Sequence, residues 1–164
     1  MVQSVQLDTV LASLKRCIGA VEAKSDVFDF SFTEYYCEEM GPDLKKMFVS
    51  FNELIDPDAL PFLKHRTNDI ESDWMMQGHR QVNLDPGYIT GAKLVLASTK
   101  DFAHRVYIGD GIYGDNHLRF VHGAFVENPW TYPDYKIPVA LRFFTEVRQS
   151  YLAQKDLHGK EDEL

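Results

Sequence analysis

The stretch "VYIGDGIYGDNHLRFVHGAFV", Val106 to Val126, decides the fold. Its apolar residues come in short runs, interrupted by Asp110-Gly111 and His122-Gly123. Such pairs suit two-residue turns, because Gly and Asp accept the backbone angles that a tight reversal needs. "HRVYIG" and "NHLRFV" followed by "AFV" read as strands, and strands joined by turns this tight pair antiparallel.

Working outward, the other elements are helices and shorter strands. Val10, Leu11, Leu14, Cys17, Ile18 and Val21 recur at helical spacing, with Asp8 at the N-cap position. Phe28, Phe30 and Phe32 alternate with Asp29, Ser31 and Thr33, which predicts a strand burying all three rings on one side. "GPDLKKMF" reads as a short helix and "MFVSFNELI" as a short strand. Asp56-Pro57 opens a helix whose face carries Leu60, Leu63, Thr67, Ile70 and Trp74, with Gly78 as its stop. "QVNLDPGYI" reads as a strand running into a turn, whereas "TGAKLVLAS" is too short and uniformly apolar for periodicity to decide. The irregular "NPWTYPDYKIP" precedes a last helix from Pro138, with Ala140, Phe143, Phe144, Val147 and Tyr151 on its apolar face. These elements predict an α+β (or α/β) domain over residues 1–155: one mixed, largely antiparallel sheet with packed helices. Residues 156–164 read as a polar acidic tail.

Composition narrows the function. The 164 residues are 45% apolar and 13% aromatic, enough to bury a core. A net charge of -8 argues against nonspecific nucleic-acid binding, which needs clustered Lys and Arg. Cys17 and Cys37 stand far apart with no metal-finger spacing. No apolar run approaches the roughly 20 residues of a membrane span, and no signal peptide stands at the N-terminus. The expectation is a cytoplasmic protein with no membrane partner.

"FDFSFTEYYCEEMG", "SFNELIDPDAL", "TNDIE", "VNLDPGYIT", "KLVLASTKDFAHRVYIGDGIYG" and "WTYPDY" run in order from Phe28 to Tyr135. In these blocks the chain resembles the DUF4416 family of uncharacterised prokaryotic proteins. The resemblance implies no established activity. Some members are labelled GTP-binding proteins, but this sequence has no G-x-x-x-x-G-K-[ST] phosphate loop. Family members generally begin with an apolar strand before the first helix. Here "MVQSVQ" stands there, implying a shortened or missing strand and a sheet edge open to a homo-oligomer. The family's usual "GIYAE" is "GIYGD" here, so a shorter acid, Asp115, replaces Glu.

Three loops carry acids and aromatics at predicted strand ends: Asp29, Glu34 and Tyr35; Asn83, Asp85 and Tyr88; Asp110, Tyr113 and Asp115. Each has an ordinary explanation, because Asp-Pro-Gly and Asp-Gly are turn formers. If the loops converge, they form a carboxylate and histidine cleft. Asp85, His104 and Asp110 are then the acid–base candidates. Asp85, Asp110 and Asp115 are the candidate ligands of a divalent metal such as Mg²⁺. Tyr88, Lys93, Arg105, Tyr113 and Trp130 are the substrate-binding candidates. Two functions fit: a small enzyme acting on a polar or phosphorylated small molecule or nucleotide, or a non-catalytic ligand-binding or adaptor module.

Overall fold

The computed structural model describes residues 1–2 and 5–161. The architecture is mixed α+β with antiparallel sheets. Helix α1 (Leu7–Cys17) precedes strands β1 (Val21–Lys24) and β2 (Phe28–Phe30). A single-turn helix α2 (Cys37–Met40) leads to β3 (Leu44–Lys46) and β4 (Val49–Phe51). Helix α3 (Leu60–Asp73) follows a 3₁₀ turn at Pro57–Ala59, and β5 (Met75–Met76) and β6 (His79–Arg80) make a small hairpin. The main sheet is formed by β7 (Gly87–Ile89), β8 (Lys93–Ser98), β9 (Arg105–Gly109), β10 (Ile112–Val121) and β11 (Ala124–Glu127). A 3₁₀ turn at Pro133–Tyr135 enters the final helix α4 (Pro138–Glu161). No helix among the described residues is long and apolar enough to cross a membrane.

The opening stretch behaves as its turns demand. Asp110 and Gly111 take φ of 50° and 74°, and His122 and Gly123 take 50° and 87°. Both reversals therefore lie in the left-handed region that short hairpins require. Strand β10 is the sheet's axis: β8 lies along one edge, while β9 and then β11 share the other, end to end. Leu94, Leu96, Leu118 and Phe125 face α4, where Ala140, Phe143 and Phe144 complete a core with Phe48 and Tyr135. Val95, Ala97 and Ile112 face the opposite way, against Leu60 of α3. A third cluster joins Val10 and Leu14 of α1 to Ile70 and Val82.

Several expectations need correcting. Helix α1 stops at Cys17, since Gly19 takes φ 136°, and Val21 starts β1 instead of ending the helix. Gln6, not Asp8, occupies the N-cap position. "GPDLKKMF" contains strand β3, because Gly41 and Asp43 both have positive φ and break any helical run. The Phe28–Phe32 strand ends at Phe30. Phe28 and Phe30 are half-buried in a two-stranded sheet with β3, and Phe32 is 37% exposed. Gly78 turns the β5–β6 hairpin instead of capping α3. The expected tail starts as helix, since α4 continues through Glu161; residues 162–164 lie outside the described residues. The N-terminal edge is partly occupied: Met1 exchanges backbone hydrogen bonds with Lys45, and the Val2 amide donates to the Gln81 carbonyl.

The Asp85-Pro86-Gly87 break also has a different cause from a positive-φ turn. Gly87 starts β7, and a Cβ there would stand 2.4 Å from the Val95 carbonyl oxygen and 2.8 Å from Leu96 Cδ2. Glycine lets β7 approach β8 this closely. Gly87→Ala should therefore lower stability by about 1–3 kcal/mol, as overpacking does. Gly91→Ala, whose Cβ meets only ordinary contact with Leu152 at 3.5 Å, should change little. Urea midpoints of the two variants check this, and equal midpoints would remove the steric argument.

Candidate functional site

A β-bulge builds the most buried polar cluster. Asn116 pairs with Val95 and Leu118 with Leu94, so His117 is an extra residue on β10. The bulge puts Leu118 on the same face as Asp115, where strict alternation would place the two on opposite faces, and His117 is buried beside them. Asp115 is 1% exposed and His117 is fully buried. Arg105 lies directly across from Asp115 on β9. Its Nε donates to Asp115 Oδ2 at 3.0 Å, Nη1 to Ser98 Oγ at 2.6 Å and the Lys100 carbonyl at 3.1 Å, and Nη2 to Tyr132 Oη at 2.8 Å. The guanidinium is thus paired and hydrogen-bonded in a buried site, which is what burying a charge requires.

The Tyr132 amide donates to His117 Nε2 at 2.9 Å, and His117 Nδ1 lies 3.3 Å from Asp115 Oδ1. Burial pushes the Asp115 carboxyl up, but the His117 hydrogen bond and the Arg105 guanidinium outweigh it and hold its pKa below the ordinary value. His104 Nε2 lies 3.3 Å from Asp115 Oδ2, and its half-buried ring stacks on Trp130 at 5.0 Å and 17°. The cluster pins the aromatic loop to the sheet. Asn128 Nδ2 and Trp130 Nε1 donate to the Asn116 carbonyl, and the Thr131 hydroxyl donates to the His117 carbonyl.

A second cluster holds the irregular segment before β7. Glu71 of α3 accepts from the Leu84 amide and from Arg80, and Arg80 also grips Glu39 through two hydrogen bonds of 2.7 and 2.8 Å. Lys64 Nζ donates to the Leu84 carbonyl at 3.0 Å and to Asp85 Oδ1 at 3.3 Å, while Asn83 Nδ2 donates to Asp85 Oδ2 at 2.7 Å.

The structure therefore gathers some of the expected residues and separates others. His104, Arg105, Asp115 and Trp130 meet. Asp110 is an exposed turn residue whose carbonyl contacts His65 Nε2 at 2.9 Å. Tyr88 packs beside Leu60 and Val95, and Tyr113 against Tyr107. Lys93 stands opposite Arg119, at the far end of β8 from Ser98. The expected metal set of Asp85, Asp110 and Asp115 does not assemble: Asp85 pairs with Lys64, Asp115 with Arg105, and Asp110 faces solvent. Among the described residues, no group of three or more His, Cys, Asp or Glu is placed to hold a metal ion. His117 escaped sequence reasoning; its two-residue spacing from Asp115 in "DNHL", which puts both on one strand face, was the available signal.

Between these clusters lies a cavity of about 690 Å³. Apolar side chains of α1, β4, β8 and α4 line it, among them Leu11, Val49, Leu94 and Val147. Leu54 and Ile55, both exposed, are also among its lining residues. One end is polar, with Tyr36, Lys46, Asp85 and Tyr135. Lys46 is engaged there: Asp134 Oδ2 lies 2.5 Å away, and the Tyr135 and Phe48 ring centres lie 4.7 and 5.2 Å away. Burial, then the Asp85 charge, pushes both the Tyr36 and Tyr135 phenols up, so both remain protonated.

Asp115→Asn tests the first cluster. It strands the buried Arg105 charge, so stability at pH 7 should fall by about 3–5 kcal/mol. A carboxyl with a depressed folded pKa stabilises above its unfolded value, and that contribution disappears as pH falls below about 4. The wild type should therefore lose stability steeply in that acid range, and the gap to Asp115→Asn should narrow there. A gap that is constant from pH 7 to pH 3 would show that Asp115 is not held ionised by Arg105.

No curated protein and no solved structure matches the chain. The match that does exist covers residues 2–151 of the 164: the chain belongs to the family described as "Domain of unknown function (DUF4416)".

Proposed function

We propose that the protein is a non-catalytic binding protein for a small molecule, which occupies the cavity of about 690 Å³. The cavity's size and lining carry this reading. Ligand pockets fall at roughly 300–1,000 Å³, mostly apolar with a few polar groups that fix orientation. This cavity has that volume and that lining, and Leu54 and Ile55, both exposed, are among the residues around it. The Asp115 cluster supports the site from behind, because it fixes the loop that delivers Tyr135 to the cavity wall.

A second reading keeps an enzyme acting on a polar small molecule. Its support is His104, partly open to solvent, close to a buried carboxylate and stacked on Trp130. The two unpaired cysteines suit a reducing, cytoplasmic setting. Self-association, if present, has its best surface at the outer edge of β9, where Val106, Tyr107 and Ile108 are all exposed.

Titration with the apolar fluorophore N-phenyl-1-naphthylamine tests the cavity. Wild type should bind it saturably at one site per chain. Val49→Trp, which fills the cavity from β4, should weaken that binding at least about tenfold, or 1.4 kcal/mol, while still melting cooperatively. Absence of saturable binding to wild type, or full binding to a folded Val49→Trp, would defeat the reading.

A further inference from the structure

We infer that the polar end of the cavity is a recognition site for the hydroxyl head of an otherwise apolar alcohol. This rests on the cavity being the ligand site. The first observation is the Tyr135 hydroxyl. Tyr135 is only 3% exposed, yet no hydrogen bond reaches its Oη among the described residues. The oxygen is not sealed in protein either, since Asn116 Oδ1 is the one sealed, unpartnered side-chain oxygen or nitrogen among those residues. Tyr135 lines the cavity, so its hydroxyl opens onto that space. A buried hydroxyl without a partner is costly, and a ligand group that pairs with it recovers that cost.

The surrounding charge selects among head groups. Asp85, Asp134, Glu39 and Glu71 stand around this end against Lys46, Lys64 and Arg80. All three cations are already paired with carboxylates. A carboxylate or phosphate head would meet the Asp85 carboxylate beside cations that already hold carboxylate partners. An ammonium head would suit the charge but would have to shed its water in a mostly apolar space. A hydroxyl loses less. It accepts from the protonated Tyr135 phenol and donates to Asp85, whose carboxylate is the acceptor at this end that remains partly open. Tyr36, also protonated and on the wall, offers a second phenol.

The test displaces N-phenyl-1-naphthylamine with three eight-carbon probes: 1-octanol, octylamine and octanoate. On wild type, 1-octanol should displace the dye at concentrations at least about tenfold below octanoate and below octylamine. Tyr135→Phe should raise the 1-octanol concentration needed about tenfold, measured against that variant's own affinity for the dye. Tyr36→Phe is the companion variant, with a smaller shift in the same direction. Octanoate or octylamine matching 1-octanol would overturn the inference, as would an unchanged 1-octanol response in Tyr135→Phe. If wild type fails to bind the dye at all, the cavity reading itself falls, so the two failures are distinguishable. Should Tyr135→Phe not fold, the order of the three probes on wild type decides alone.

Discussion

The Arg105–Asp115 pair is the constraint around which the rest of the structure is arranged. Two opposite charges out of water are tolerable only if each is paired and its remaining donors and acceptors are met. That requirement recruits Ser98 and Lys100 from the end of β8, Tyr132 from the loop before α4, and His117 from β10. Each recruited group ties another element to the sheet. The loop from Asn128 to Tyr135 carries three aromatic side chains and two prolines, and such a loop has little regular backbone pairing of its own. Its position is set by hydrogen bonds to Asn116, His117 and Arg105. Tyr135 then enters the core between Phe48 and Phe144, at ring separations of 5.1 and 5.5 Å.

Much of this was legible from residue pattern. The turns at Asp110-Gly111 and His122-Gly123 and the strands they join follow directly from side-chain alternation and from residues that tolerate positive φ. The apolar faces of α3 and α4 follow from helical spacing. Legibility failed where a distant contact overrode local pattern. Phe32 alternates correctly with Phe30, but β2 has only the short β3 beside it, so no surface remains to bury the third ring. "GPDLKKMF" has helical composition, yet Leu44 pairs with Phe30 in a sheet. The site divided in the same way. Arg105, Asp115, His104 and Trp130 were visible as chemistry-bearing types, and the structure brings them together. Asp85 and Asp110 looked equivalent as turn acids; only the position of Lys64 on α3 distinguishes them, and no local pattern encodes that.

The cavity and the polar clusters are two sides of one packing problem. The β1–β4 ribbon meets the α4 face of the main sheet, where Phe48 contacts Phe143 and Phe144, while α1 packs on Ile70 of α3 and on Val82. At the far side, Glu71 accepts from the Leu84 amide and Lys64 donates to the Leu84 carbonyl. The elements are therefore held at these places, and the space between them is left to none.

The bulge at His117 has an evolutionary corollary. Because β10 carries one residue more than its partner between Asn116 and Leu118, chain length there matters as much as side-chain identity. A one-codon deletion would restore a regular ladder locally and so look harmless to backbone pairing. It would also remove the residue that links Asp115 to the aromatic loop, or shift Asp115 to the wrong face. Substitutions across β10 can drift, whereas insertions and deletions at this point cannot. Reading-frame-preserving length changes in descendants of this gene should accumulate in its hairpin tips and avoid the middle of its longest strand.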